Sequence, residues 1–272
     1  MLKHRLITAI CLGALFLAAL FLLPGLAWAL FLLAFILVGA WEWCGLAGFG
    51  RRGRGLFMFF MLAGGLLLLP GLSWFASIRN PMILLLLALA AAFWLAIAPF
   101  WLMQRLRVTQ PWMLGMLGVV LLLSGWVALV ELRHLGPLAV LGVMATVWLA
   151  DSAAYFAGRR FGRHKLAPEI SPGKTWEGFA GAVLAVMLCG VAVCLAWSLS
   201  FWFLPGLLLL VVMSVIGDLF ESWIKRVAGK KDSGTLLPGH GGVLDRIDAL
   251  LPTLPLTLFA LYLPVYMGLL RI

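Results

Sequence analysis

At 272 residues, 64% hydrophobic and only 11% charged, with a mean hydropathy of +1.12, the chain departs from soluble domains, which are about 45–50% apolar and about 25% charged. This composition excludes a soluble globular domain and divides the chain into membrane spans of roughly 20 residues each. The net charge of +10 does not point to nucleic acid: the cations sit in short loops between apolar runs, where the positive-inside rule places them, and anionic headgroups and phosphorylated molecules are the expected partners.

In chain order, nine apolar segments can be laid out, at about 6–23, 26–45, 56–72, 82–101, 112–130, 136–157, 178–197, 201–220 and 249–269. Lys3-His4-Arg5 before the first run and Ala27-Trp28-Ala29 after it imitate a cleaved signal peptide. The run is long enough to span, however, and it reads as an uncleaved first helix. The breaks carry Pro24-Gly25, Pro70-Gly71, Pro81, Pro111, Pro137 and Pro205-Gly206, residues suited to helix starts and ends. The Gly-rich stretch 45–55 leaves the third span short. With the N-terminus in the cytoplasm, seventeen of the twenty Lys and Arg fall inside, and only Arg79, Arg133 and Arg271 fall outside. The expected fold is therefore an all-α polytopic membrane protein with about nine transmembrane helices, N-terminus cytoplasmic and C-terminus periplasmic.

Cys11, Cys44, Cys189 and Cys194 lie in or beside apolar runs with no CxxC pair, and read as buried apolar residues rather than a zinc site. No internal repeat is visible, which gives an inverted-repeat transporter no support. Eight of the ten acids lie between Asp151 and Asp248; only Glu42 and Glu131 lie earlier. Residues 1–135 thus read as a transmembrane scaffold of about five helices. Residues 136–272 read as the catalytic region, with two cytoplasmic loops.

The first loop spans 151–178. Asp151 ends an apolar helix, a costly place for a carboxylate and so a functional candidate; the plain alternative is pairing with Arg159 or Lys165. In Ser171-Pro172-Gly173-Lys174-Thr175, Pro and Gly are expected to fix a tight turn before the next helix. Its N-terminus offers N–H groups to an anion, Lys174 adds a point charge, and Ser171 and Thr175 add hydroxyls. The ending imitates a Walker A loop, but Pro168 stands where that fingerprint needs a glycine and no strand is expected before it. A P-loop is rejected, while phosphate binding by the same physics stands beside the plain alternative of a helix cap in a basic loop.

The second cluster begins with Asp218, Glu221, Ser222 and Lys225, which share one helical face. A Gly-rich loop, GKKDSGTLLPGHGG, follows, and then Asp245 and Asp248 open the last span with Arg246 between them. Paired carboxylates beside abundant Lys and Arg suit phosphate chemistry with a divalent metal, because Mg²⁺ takes carboxylate oxygens and completes its shell with water and substrate phosphates. A salt-bridged helix start is the plain alternative for Asp245 to Asp248 taken alone. His240 reads as a phosphate or backbone contact before a metal ligand.

These residues resemble a known family. Ser222-x-Ile224-Lys225-Arg226, Lys231-Asp232-x-Gly234 and Leu237-Pro238-x-His240-Gly241-Gly242-Val243-x-Asp245-Arg246-Ile247-Asp248 are similar to the signature of the phosphatidate cytidylyltransferases, with no departure at a fixed position. Asp151-Ser152, Gly158-Arg159, Phe161-Gly162, Lys165-Leu166 and Ser171-Pro172-x-Lys174-Thr175 extend the resemblance over roughly 150–250. It implies a membrane enzyme that joins CTP and phosphatidate into CDP-diacylglycerol and pyrophosphate with Mg²⁺. On that basis Asp218, Asp245 and Asp248 are expected to hold one or two metal ions. Lys225 and Arg226 are expected to hold the lipid phosphate or the triphosphate, and Ser171, Lys174 and Thr175 the nucleotide phosphates. Asp232, Gly234, His240, Gly241 and Gly242 would shape the loop over the nucleotide, with Asp151, Ser222 and Arg246 also lining the substrate site.

The alternatives are an ion- or proton-coupled transporter, which predicts carboxylates near mid-membrane, and another lipid-phosphate transferase or kinase. The carboxylates cluster beside loops instead, which favours an enzyme. The expected setting is a bacterial-type inner membrane with the site facing the cytoplasm, no nucleic acid, and a homodimer as the commonest symmetric assembly.

Overall fold

The computed structural model describes residues 2–69, 80–236 and 241–267, except the side chains of 2–9, 265 and 266. Among these residues each of the nine apolar segments falls on a helix. In order they are α1 (Leu2–Leu22), α2 (Gly25–Leu46), α3 (Arg51–Leu67) and α4 (Pro81–Ala92), which runs through a π-helical turn (Phe93–Ile97) into α5 (Ala98–Gln104). Then follow α6 (Pro111–Leu135), α7 (Pro137–Phe161), α8 (Trp176–Trp197), α9 (Phe203–Val227), a short α10 (Leu244–Ile247) and α11 (Leu250–Tyr266). Among the described residues, six helical stretches are long and apolar enough to cross a membrane by themselves: α2, the α4–α5 stretch, α6, α7, α8 and α9. The chain is an all-α integral membrane protein.

Local chemistry sets the boundaries. Asn80 caps α4, its side chain accepting from the N–H of Met82 at 2.8 Å, with Pro81 in the first turn where a missing N–H does no harm. Pro111 and Pro137 open α6 and α7 in the same way. Pro99 cannot complete the hydrogen-bond ladder of the preceding turn, and the helix widens there into the π-helical turn. The helix expected over 201–220 continues to Val227, so that Asp218 to Lys225 lie on one continuous helix. Cys44 and Cys194 are buried as expected. Cys11 and Cys189 are exposed on the outer faces of α1 and α8, where a membrane protein's surface is as apolar as its core.

Several expectations are corrected: Cys11 and Cys189 are exposed rather than buried, and a strand stands before Pro168 where none was expected. Pro172-Gly173 makes no tight turn; residues Ser171–Thr175 form a strand, β2, antiparallel to β1 (Lys165–Ala167), with Lys165 opposite Thr175 and Ala167 opposite Ser171. The reversal lies at Pro168 to Ile170, because Pro168 lacks the N–H that would extend β1.

At the centre, α6 and α11 pack together, with α2, α4 and α9 around them. Buried indoles bind neighbouring helices through their N–H groups: Trp126 to the Ala29 carbonyl at 3.0 Å and Trp43 to the Leu114 carbonyl at 2.7 Å. Phe93, Trp94 and Trp101 meet Phe220 edge-on, at centroid distances of 5.1, 5.6 and 5.6 Å, and hold α9 against the π-helical turn. Helices α7 and α8 approach closely through small residues, with Gly181 against Ala157.

The end of α2, the end of α5, the end of α9 and the hairpin all meet at one end of the bundle. Lys230 donates to the Gly45 carbonyl at 2.8 Å, Trp223 donates to the Leu106 carbonyl at 2.8 Å, and Arg105 pairs with Glu169 at 2.7 Å. At the opposite end Arg133 donates to the Leu23 carbonyl.

Candidate active site

The polar residues converge where α7 and α9 end and where α8, α10 and α11 begin. Lys174, at the end of β2, pairs with Asp218 of α9 at 2.6 Å, and Asp151 of α7 lies within electrostatic reach of both. The Ser222 hydroxyl donates to the other oxygen of Asp218 at 3.3 Å, one helical turn away. A second knot centres on Lys225. Its buried ammonium contacts Asp245 at 2.5 Å and Glu221 at 3.2 Å.

Asp245 is held from several sides. Its Oδ2 accepts from the Ser233 N–H at 3.0 Å, the Ser233 hydroxyl at 3.0 Å and the Gly242 N–H at 2.8 Å. Burial opposes its ionisation, but Lys225 and the Gly242 and Ser233 N–H groups outweigh it and hold the carboxyl below its usual range. Gly241 takes φ +80°, and a methyl there would stand 2.7 Å from Asp245 Oδ2, so this turn demands glycine twice over. Asp248 follows α10, with its Oδ1 accepting from the Ala249 N–H at 2.8 Å. Burial, and then the Asp218 carboxylate, push its carboxyl up to about 7. Gly217 makes this closeness feasible: a Cβ there would stand 2.4 Å from the Asp248 carbonyl oxygen.

Two carboxylates close enough to repel each other form a donor set that suits Mg²⁺, which takes one or two carboxylates and completes its shell with water and substrate phosphates. Asp218 and Asp248 are that pair. Asp245 turns both oxygens to protein partners, and among the described residues no group of three or more Asp, Glu, His or Cys is arranged as metal ligands.

Beside this centre lies an apolar cavity of about 560 Å³ between α1, α2, α6, α7 and α11. Leu17 and Trp148 are exposed at its edge, and Arg246 and Ile247 of α10 lie at its polar end.

Comparison with known proteins agrees with the geometry. A family model described as the cytidylyltransferase family matches residues 3–264. The chain belongs to that family. A phosphatidate cytidylyltransferase from Pseudomonas aeruginosa is 41% identical over 275 residues, covering 94% of this chain and 95% of the relative. One from Haemophilus influenzae is 36% identical over 305 residues, covering 94% and 96%. One from Brucella suis is 52% identical over 117 residues, 42% of this chain.

In this member of the cytidylyltransferase family the residues singled out from sequence have different surroundings. Asp151, Lys174, Asp218, Ser222 and Asp248 come together, while Arg246 lines the apolar cavity. Lys225 instead spends its charge on Glu221 and Asp245, and Thr175 is buried, its hydroxyl capping α8 by accepting from the Gly178 N–H at 3.1 Å. Arg226 and Asp232 are exposed, and Ser171 is half-buried at the hairpin. Gly234 and Gly242 pack against a carboxylate from α2 that was not singled out, Glu42. His240 lies outside the described residues. The signal for Glu42 was a lone acid in an apolar run, and Ser233 carried none.

Proposed function

We propose that the chain joins CTP and phosphatidate into CDP-diacylglycerol and pyrophosphate. An oxygen of the lipid phosphate attacks the α-phosphorus of CTP, the bond from that phosphorus to the bridging oxygen breaks, and pyrophosphate leaves with the electron pair. The likeness to the Pseudomonas and Haemophilus relatives over nearly the whole length carries this reading. The meeting of the hairpin and α9 through Lys174 and Asp218 supports it.

The attacking phosphate is already an anion and needs no strong base, so positioning and charge neutralisation do the catalytic work. Asp218 and Asp248 would hold Mg²⁺, which when bound neutralises charge on the triphosphate. Lys174 exchanges Asp218 for nucleotide phosphate, and Ser171 and the exposed Arg226 extend the cationic rim. Lys225 acts one step back, orienting Asp245. The acyl chains of phosphatidate lie in the apolar cavity, with the phosphate at its Arg246 end. The basic end of the bundle faces the cytoplasm, where CTP is, in a nine-span arrangement of a bacterial inner membrane.

Purified protein in detergent, given CTP, phosphatidate and Mg²⁺, is expected to release pyrophosphate and form CDP-lipid only when all three are present. A folded protein that forms neither product overturns the reading. For topology, a reporter fused after Arg52 should read cytoplasmic and one after Ser200 periplasmic; the reverse result rules out the orientation.

A further inference from the structure

We propose that Glu42, supplied by α2, is a positioning residue of the catalytic centre, holding the loop that presents Asp245. The proposal rests on the reaction assigned above. Glu42 is 6% exposed, and among the described residues no Lys or Arg forms an ion pair with it. Its charge is met by loop donors instead. Oε1 accepts from the Val243 N–H at 3.0 Å; Oε2 accepts from the Leu244 N–H at 2.9 Å and the Ser233 hydroxyl at 3.2 Å.

Those three donors come from the two ends of the loop that leads into Asp245, Ser233 at its start and Val243 and Leu244 at its close. Ser233 joins the two carboxylates directly, because its one hydroxyl hydrogen can serve Glu42 Oε2 or Asp245 Oδ2 but not both at once. The loop is also shaped to Glu42. A methyl on Gly234 would stand 2.4 Å from Glu42 Oε1, and one on Gly242 would stand 2.5 Å from Oε2. A carboxylate that served only to fill the core would not require two glycines and three donors to converge on it from a loop some 200 residues later in the chain. Without Glu42, the Val243 and Leu244 N–H groups lose their acceptor, and the segment carrying Asp245 and Arg246 loses its fixed register on α2.

The test uses the full-length protein in detergent. Glu42→Gln keeps the shape but turns an NH₂ group toward an N–H donor. We expect kcat to fall about 10–100-fold, as for other residues that orient a catalytic group, with KM for CTP and phosphatidate changed by less than about 3-fold. Without substrate, the Val243 and Leu244 amides should exchange with solvent at least about 10-fold faster than in the wild type. Glu42→Asp, which retains the charge with a shorter reach, should recover part of kcat. Glu131→Gln alters another buried carboxylate, bonded to Tyr262 at 3.1 Å, and should retain wild-type kcat. Wild-type kcat in Glu42→Gln overturns the proposal, as does unchanged exchange at 243 and 244. So does an equal loss of kcat in Glu131→Gln. Should Glu42→Gln not accumulate, Gly234→Ala displaces the carboxylate while leaving α2 intact and must give the same loss; full activity there is equally decisive against it. If the wild type makes no CDP-lipid, the assigned reaction falls, while the exchange measurement still decides whether Glu42 holds the loop.

Discussion

Lys225 joins stability to chemistry more tightly than any other cation of the site. Its ammonium is buried between Glu221 and Asp245, and removing it leaves two acids without their counter-ion. Lys225→Met is expected to destabilise the protein by about 3–5 kcal/mol, read as a lower thermal midpoint and a lower yield before any assay of turnover. Asp248 gives a prediction of the opposite sign. Its folded-state pKa of about 7 stands above the ordinary 3.8, so folding takes up a proton between those values. The stability it contributes therefore falls as pH rises from 3.8 toward 7, and the ionised form is most unfavourable above 7. In the presence of a chelator Asp248→Asn should melt a few degrees higher than wild type at pH 8, with the gap closing at pH 5, while losing activity. Equal gaps at both pH values would refute this. At this scale the sequence was legible in its periodicity: the helical face from Asp218 to Lys225 does form the Asp218–Ser222 bond and the Glu221–Lys225 pair. Which charges face substrate and which face each other depends on burial, and no pattern along the chain reports that.

Among the elements, α9 and α11 set the geometry through one missing side chain. Gly217 lets the start of α11 lie against α9, with Pro252 also 2.7 Å from where a Cβ would stand. Gly217→Ala is expected to force the two helices apart, destabilising the protein by about 1–3 kcal/mol. Separating Asp218 from Asp248 should also lower kcat at least 10-fold, because small misplacements of reacting groups are costly. A normal kcat in that variant would show that the Asp218–Asp248 spacing is not critical. The helix starts at Pro81, Pro111 and Pro137 were readable because proline marks a first turn. The hairpin was not: Ser171-Pro172-Gly173 has turn composition, and only pairing with Lys165–Ala167 makes it a strand. The Arg105–Glu169 pair that ties the hairpin to α5 is exposed on both sides, so it sets position more than stability.

Across the whole molecule, composition made the membrane class plain, and the apolar runs located the helices, though α9 runs on to Val227 because its polar last two turns lie beyond the apolar run. The division into a scaffold half and a catalytic half left out Glu42, whose hydrogen bonds cross between them, and the main hydrophobic core draws on residues from Ala19 to Tyr262, with a smaller cluster between α7, α8 and α9. The apolar cavity likewise draws its walls from both halves. Gly13 lies on its wall with open space around its Cα, so Gly13→Phe should narrow the cavity without a clash. That variant is expected to raise KM for long-chain phosphatidate several-fold relative to a short-chain analogue; an equal effect on both would place the acyl chains elsewhere. The bond from Glu42 to Val243 also has a consequence in time, since it spans 201 residues. At a ribosomal rate of about 5–20 residues per second, α2 enters the membrane with a carboxylate that finds its partners only about 10–40 seconds later. Through that interval the nascent chain carries in its second helix a carboxyl group that has not yet met its loop donors. A chain cut short before residue 243 never supplies those two backbone donors, so the closing of this loop is among the last steps of folding.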